Sequence, residues 1–429
     1  MIGIVADDIT GANDIGIMYK KAGLLTDVYP YEYRHDLSER RILPEVAVID
    51  TNSRLDSKEE AYDKVFESTK QLMELGYKQF FNKTCSVFRG NIGAEFDAML
   101  DALNESFAVV VLGFPKNGRT TIHQQHYVYG KKLDESNFRN DPVHPMTESN
   151  IVDILKSQTT RVVDHVDISV IREGYEAIKK EIQRRRNDCH YLILDVEDQL
   201  SLEEIAKAII DEKVIAGASG VAEELARVSS PINGNEQDLI QPAQYNQENV
   251  GILCAAGSLT PQTFGQVAFI KEQGISYREM DTTKLFSDDK VTYLKGLIQH
   301  LAETVTAGSD ALVYASNQPE LVAKTKEIGK AKGFSNEEIS RVVSNSLAGV
   351  VASVVKQTGV ERILLAGGET SPSICQKLGI KGLRVHEEIE PGLPSCISIE
   401  KPHYVLVLKS GSFGGVDFFE KALNHLKEC

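Results

Sequence analysis

The sequence predicts an α/β protein: two α/β domains with mostly parallel sheets facing a central cleft. Three observations carry that expectation. Short apolar runs alternate with helix-length amphipathic stretches, the βαβ rhythm of parallel sheets. The runs are apolar at nearly every position, which suits strands buried on both faces. Polar turns, several with glycine, follow the runs at the carboxyl ends of the strands, where open α/β sheets take their ligands.

Residues 2–6 read as the first strand and 11–21 as the first helix. Residues 46–50 form a strand, and 57–75 a helix with apolar residues at helical spacing. A strand at 79–82, a helix at 91–103 and a Val-rich strand at 107–113 complete the first run. Their carboxyl ends carry 7-DDITGAND-14, 50-DTNSR-54, 83-KTCSVFRGN-91 and 114-FPKNGRTT-121. Residues 119–150 break the rhythm, with a hairpin at 128–133 and a rigid turn, 141-DPVHP-145. Strands then follow at 161–166, 191–195 and 214–216, with helices at 172–186 and from Leu202. Ser219 is placed to cap a helix reaching Val228.

The polar stretch 229–249, rich in Asn, Gln, Pro and Gly, reads as a linker between domains 1–228 and 250–429. The second domain opens with a strand at 251–255 and the turn 256-AGSLTPQT-263. There Thr260 is a candidate cap and Pro261 sits in the first helical turn. A strand at 311–315 and a long helix at 336–358 follow. Two apolar runs, 362-RILLA-366 and 403-HYVLVLK-409, end in 366-AGGETS-371 and 410-SGSFGG-415. Thr370 and Ser371 can cap a helix at 372–378, and a last helix starts near Asp417.

Composition bounds the function. With 42% hydrophobic and 25% charged residues the chain is ordinary for a folded protein. A net charge of −15 argues against nucleic acid as partner, so basic contacts to an anionic substrate must be local. No stretch reads as long and apolar enough to span a membrane. The opening residues lack a basic leader, which predicts a cytoplasmic protein. Six scattered cysteines without a CxxC pair suit reduced, buried thiols.

Asp7 and Asp8 end the first strand. Neighbours on a strand face opposite ways, so one of them reaches the cleft more fully than the other. A carboxylate there can bind a hydroxyl, accept its proton or help hold Mg²⁺, while the plain alternative is a helix cap. Lys83, Ser86, Arg89 and Asn91 follow the third strand, Arg54 follows the second, and Arg119 lies on the same edge. Such a local basic pocket suits a carboxylate or a transferring phosphoryl group, and solvated surface charge is its alternative. There is no Walker A sequence, no GxGxxG after the first strand and no GxSxG elbow. His123 and His126 have H-x-x-H spacing without an evident third ligand, so no metal site is expected. Cys85 reads as packing or substrate lining rather than a nucleophile.

The two late glycine turns are the other feature. A buried strand, a glycine turn and a helix start direct free N–H groups and the helix dipole at one spot, which makes an anion site. Together they point to the phosphates of a nucleotide; singly, each is an ordinary strand-to-helix turn.

With 6-ADDITGA-12, 83-KTCSVFRGN-91, 114-FPKNGRT-120, 366-AGGETS-371 and 409-KSGSFGGVDFF-419 in this order, the chain resembles the four-carbon acid sugar kinase family. The resemblance spans both domains. It implies an N-terminal domain that binds a four-carbon sugar acid and a C-terminal domain that binds ATP. It implies transfer of the γ-phosphoryl group to the terminal 4-hydroxyl, with Mg²⁺ bridging the phosphates. Substrate contacts fall on Asp7, Asp8, Arg54, Lys83, Thr84, Cys85, Ser86 and Arg89, with Asp8 accepting the hydroxyl proton. Nucleotide contacts fall on Ser258, Gly367, Gly368, Glu369, Thr370 and Gly411. The family pattern has Asp where this chain has Cys85, which leaves the preferred sugar acid open between D-threonate, D-erythronate and 3-oxo forms. A homodimer is compatible with the sequence. Two alternatives are a nicotinamide-dependent sugar-acid dehydrogenase, which the missing fingerprint disfavours, and a non-catalytic sugar-acid binder.

Overall fold

The structure, a computed structural model, describes residues 1–141, 143–229 and 250–429. The linker read at 229–249 lies, Ser229 apart, outside the described residues, as does Pro142 of the turn read at 141–145. The chain divides into two compact units, Met1–Asp238 and Leu239–Cys429.

In the first unit the strands are β1 (Ile2–Ala6), β2 (Thr26–Pro30), β3 (Val46–Asp50), β4 (Gln79–Lys83) and β5 (Ala108–Val111). A separate antiparallel ribbon is made by β6 (Arg119–Ile122), β7 (Gln125–Val128) and β8 (Lys131–Lys132). Then come β9 (Val163–Val166), β10 (Tyr191–Leu194) and β11 (Val214–Gly217). The main sheet runs β2-β3-β1-β4-β11-β5-β10-β9, parallel throughout. The helices are α1 (Ile9–Lys20), α2 (Lys58–Glu74), α3 (Ile92–Leu103), α4 (Ile151–Lys156), α5 (Ile168–Ile171), α6 (Tyr175–Arg185), α7 (Gln199–Ile209) and α8 (Gly220–Ser229). Helix α2 packs on α3, while α1, α8, α7 and α6 pack in succession. The central strands are buried along their whole length. That is why their sequences read as unbroken apolar runs instead of alternating.

Strand order reverses at β1. The chain goes from β1 to β2 and β3 on one side, then to β4 on the other. Doubly wound sheets open their crevice at such a point. The register levels the three strand ends there, with Ala6 opposite both Asp50 and Lys83.

The second unit contains β12 (Leu253–Ala256), β13 (Ser276–Met280), β14 (Ala311–Ala315), β15 (Arg362–Ala366), β16 (Leu383–Glu390), β17 (Leu393–Ser398) and β18 (Val405–Lys409). Their order is β13-β14-β12-β15-β18-β17-β16, parallel through β18 and antiparallel beyond. Its helices are α9 (Pro261–Glu272), α10 (Lys290–Thr306), α11 (Pro319–Ala331), α12 (Asn336–Thr358), α13 (Thr370–Lys377) and α14 (Phe418–Glu428). The order reverses at β12, whose carboxyl end lies beside that of β15, itself beside β18.

Several elements differ from the sequence reading. Strand β2 was not expected, because 26-TDVYP-30 carries an acid and a proline, yet it pairs with β3 along its length. The helix read at 172–186 is α6 alone, starting after Gly174, which has φ +92, and a separate short helix, α5, precedes it. Helix α12 does meet the bare length and hydropathy of a membrane span, against the expectation that nothing would. Half of that stretch is buried within the unit, where it packs on α10 and α13. A capping box at Ser335 and Glu338 starts it, and Gly359 in the left-handed region ends it.

Candidate functional site

Both halves of the aspartate pair lie beyond β1, so strand alternation does not separate them. Arg54 reaches both. Its Nε and Nη2 donate to the two oxygens of Asp7 at 2.8 Å each, and Nη1 donates to Asp8 Oδ2 at 2.5 Å. One guanidinium gathers the two. Asp8 also caps α1, accepting from Gly11 N at 2.6 Å and from the Thr10 hydroxyl at 3.0 Å. The carboxylate that caps α1 is thus also one that Arg54 holds. Burial pushes the Asp8 carboxyl up, but Arg54, Lys83 and those two donors outweigh it and hold it below the usual carboxylate range.

Lys83 is buried at the end of β4, and its ammonium lies 3.5 Å from Asp14 on α1. A Cβ on Gly11 would sit 2.7 Å from Asp8 Oδ1 and 2.9 Å from Lys83 Nζ, so any larger residue would displace one of these two side chains. Asp14 also accepts from Ser219 Oγ at 2.5 Å. Ser219, read as a cap for α8, thus donates its hydroxyl hydrogen bond to Asp14. Burial lifts the Asp14 carboxyl to about 6 against the pull of Lys83. Burial likewise raises Asp50 well above the ordinary range, helped by the charge of Asp8. Glu95, on α3, is pushed up to about 8 by burial and by Asp7, while Ser53 donates to it at 2.7 Å.

Farther along the β4 turn, Arg89 Nε lies 3.4 Å from Cys85 Sγ and Nη1 is 2.6 Å from Asp141. Burial would raise the Cys85 thiol, but Arg89 and Arg54 overcome it and bring it below its ordinary value. Thr84 is buried with its N–H on Gly217 O, and Ser86 is half-buried. His144 Nε2 lies 3.0 Å from the Arg54 carbonyl. Asn91 ties the turns together, donating to Ser53 O and Asp56 O. The cations read as a free basic pocket are thus each matched: Arg54 with Asp7 and Asp8, Lys83 with Asp14, Arg89 with Asp141. A buried cation needs such partners. Arg119 is used locally: it is fully buried, donates to Asn117 O and lies over the Tyr129 ring.

The H-x-x-H pair separates. His126 is buried, 3.0 Å from the Thr121 hydroxyl. His123 meets two carboxylates that sequence spacing did not suggest, Asp167 and Asp195. Asp195 is already occupied by the N–H groups of His123, Gln124 and Ile168.

In the second unit, the turns after β12, β15 and β18 interlock. Gly257 N donates to Ala366 O and Gly367 N to Lys409 O. A Cβ on Gly257 would fall 1.9 Å from Thr370 Oγ1, and one on Gly411 2.3 Å from Ser258 Oγ. Gly367 has φ +140. Thr260 occupies the cap position of α9 but its hydroxyl donates to Gly411 O, and Thr263 does the same at 2.9 Å. Glu369, not Thr370 or Ser371, is the cap residue of α13, and Ser371 Oγ bonds back to Gly367 O at 2.8 Å. The Glu369 carboxylate accepts from Ser340 Oγ at 2.7 Å. Among the described residues, the backbone N–H groups of Ser258, Gly368, Glu369 and Gly411 donate to no protein acceptor. Four unmatched donors on three adjoining turns are what an anion site needs. Lys409, Thr263 and Gln266 build the floor of the β18 turn and were not singled out from sequence.

Residues 2–225 match the sugar-binding N-terminal domain family and residues 253–419 the nucleotide-binding C-terminal domain family. The chain is 32% identical to a 3-oxo-tetronate kinase of Brucella melitensis, over 98% of this chain and 94% of that one. It is 31% identical to a 3-oxo-tetronate kinase of Pectobacterium atrosepticum, over 98% of each. A crystal structure from Haemophilus influenzae superposes with a TM-score of 0.71 at 28% identity, over 99% of this chain and 100% of the other. Full-length likeness to kinases displaces the dehydrogenase and the non-catalytic binder. The chain belongs to the four-carbon acid sugar kinase family and is a phosphotransferase with an alcohol group as acceptor.

Proposed function

We propose that this enzyme transfers the γ-phosphoryl group of ATP to the 4-hydroxyl of a four-carbon sugar acid, yielding the 4-phosphate in the cytoplasm. D-Threonate, D-erythronate and their 3-oxo forms are the candidate acceptors. The nucleotide site belongs to residues 250–429 and the sugar-acid site to residues 1–228. The observation that carries this reading is the set of unmatched N–H groups on Ser258, Gly368, Glu369 and Gly411. They fit the oxygens of a polyphosphate, in a chain full-length similar to 3-oxo-tetronate kinases.

Phosphoryl transfer depends on positioning and charge neutralisation more than on covalent help. Asp7 and Asp8 are fixed acceptors, suited to the hydroxyls of a polyol. Asp8 is a weak base, because Arg54 and Lys83 favour its charged form. A loose transition state asks little of a base until late, so a carboxylate that orients the 4-hydroxyl and takes its proton after bond formation is sufficient. Arg54 retains two N–H bonds beyond the three it gives to Asp7 and Asp8, and these, with Arg89, are suited to the substrate carboxylate. In the turn after β15, Glu369 is the carboxylate that would hold Mg²⁺, which would supply neutralisation of the phosphate charge.

The test is coupled ADP release over a panel of tetronates and 3-oxo-tetronates, with Mg²⁺ and with excess chelator. Metal-dependent ADP release with one tetronate, falling at least about a hundredfold in Asp8→Asn, is the expected result. Turnover that ignores every four-carbon acid, or that survives Asp8→Asn intact in a folded protein, defeats the proposal.

A further inference from the structure

The side chain of Lys409 ends β18 with no exposed surface at all, directly beneath the glycine turn. Its ammonium lies within hydrogen-bond distance of four acceptors, which its three protons must share: Ser410 O at 2.7 Å, Gly411 O at 3.1 Å, Phe413 O at 3.2 Å and Thr263 Oγ1 at 3.0 Å. No carboxylate pairs with it among the described residues, although buried lysines ordinarily need one. Burial pushes the ammonium down to about 7, opposed weakly by Glu390. Acceptors alone surround it, which favours the charged form, since only an ammonium brings three protons to share among them.

The geometry has a consequence for the opposite side of the turn. In a trans peptide the C=O and the following N–H point in opposite directions. Drawing the carbonyls of Ser410 and Phe413 inward therefore turns the N–H groups of Gly411 and Gly414 away from Lys409. Gln266 continues the pattern, donating to the carbonyls of Phe413, Gly414 and Gly415. Thr260 and Thr263 add to it at Gly411.

We propose that Lys409 is a positioning residue for the nucleotide: it gathers the turn's carbonyls so that the N–H groups of Gly411 and Gly414 face the phosphates, and leaves its own charge to be answered by the bound anion. This rests on the nucleotide reading of the glycine turns. It differs from that reading in assigning the affinity to a side chain that touches no phosphate.

The experiment measures Kd for a non-hydrolysable ATP analogue with Mg²⁺ by calorimetry, and amide hydrogen exchange of residues 410–415, in the full chain. Lys409→Met is expected to raise Kd at least about tenfold and to speed exchange across 410–415, with exchange in β1 and α1 unchanged. A folded Lys409→Met protein with Kd within about twofold of wild type overturns the inference. Where Lys409→Met does not fold, Thr263→Val decides. That variant removes one donor to Gly411 O and one acceptor of Lys409, and is expected to raise Kd about threefold, while an unchanged Kd overturns the inference. Gly411→Val separates the two levels. If it leaves nucleotide binding intact, the assignment of the site is wrong; if it abolishes binding while Lys409→Met does not weaken it, only the role of Lys409 falls.

Discussion

Replacing Arg54 by Met keeps the bulk of the side chain and removes the guanidinium from Asp7 and Asp8. Three charge-assisted hydrogen bonds are lost, at 2.8, 2.8 and 2.5 Å. The two carboxylates left behind are only 1% and 4% exposed. Breaking a buried ion pair by removing one partner costs about 3–5 kcal/mol. Lys83 remains close to Asp8, so the lower end, about 3 kcal/mol, is expected here. The pH dependence gives a second signature. In the wild type the Asp8 pKa is depressed, so its stabilisation is present above the unfolded value of 3.8 and is lost as pH falls through the folded value. Without Arg54 the burial effect has less opposition and the Asp8 pKa rises. Stability of the variant then falls as pH rises, and the loss is larger at pH 8 than at pH 5. The chain has no Trp, so the readout is native-state hydrogen exchange in peptides covering β1 and α1. A loss below about 1 kcal/mol, or the same loss at both pH values, refutes the account of Arg54 as the cation that holds the pair.

Asp14→Asn tests the buried carboxyl beneath the site. Its raised pKa means the native state takes the proton more readily than the unfolded chain, so this group's contribution declines as pH rises from 3.8 through about 6. The stability of the Asn variant relative to wild type is expected to improve by about 1 kcal/mol between pH 5 and 7 in urea titrations, and a flat difference contradicts it. Gly257→Ala places a methyl 1.9 Å from Thr370 Oγ1 and is expected to destabilise the second unit by about 1–3 kcal/mol. Thr370→Ala in the same chain is expected to recover part of that, measurable as a double-mutant cycle. Cys85 sits against Arg89 and Arg54, which favour its thiolate. Cys85→Ser, which removes the ionisable thiol, is expected to lower kcat/KM for the preferred tetronate at least about fivefold, and Cys85→Asp to lower it less. The reverse order shows that the thiolate charge does not matter.

Much of this molecule is legible in one dimension. Buried parallel strands leave apolar runs, helices leave spacing and capping boxes, and strand ends leave polar turns, because each obeys a local rule. The helix at 336–358 was placed to the residue for that reason. Strands β16 and β17 were not read at all. They pair antiparallel at the far side of β18, and their sequences, 383-LRVHEEIE-390 and 393-LPSCIS-398, mix charge and proline with apolar residues. Caps were the least reliable element. Thr260, Ser219 and Ser371 have the right chemistry for capping, but tertiary partners at Gly411 O and Asp14 claimed the first two hydroxyls, and Ser371 lies inside α13 and bonds back to Gly367 O.

By itself the sequence determined that two α/β halves would present polar strand ends and glycine turns, and which motifs those turns contain. The tertiary structure decided how the charges are matched. Asp7, Arg54, Lys83 and Asp14 come from three strand ends and a helix, and whether a cation is free or paired depends on distances across the sheet that no spacing along the chain encodes. The same holds for Lys409: beside glycines it reads as one more strand-end lysine, and only folding shows it buried among the carbonyls of its own turn.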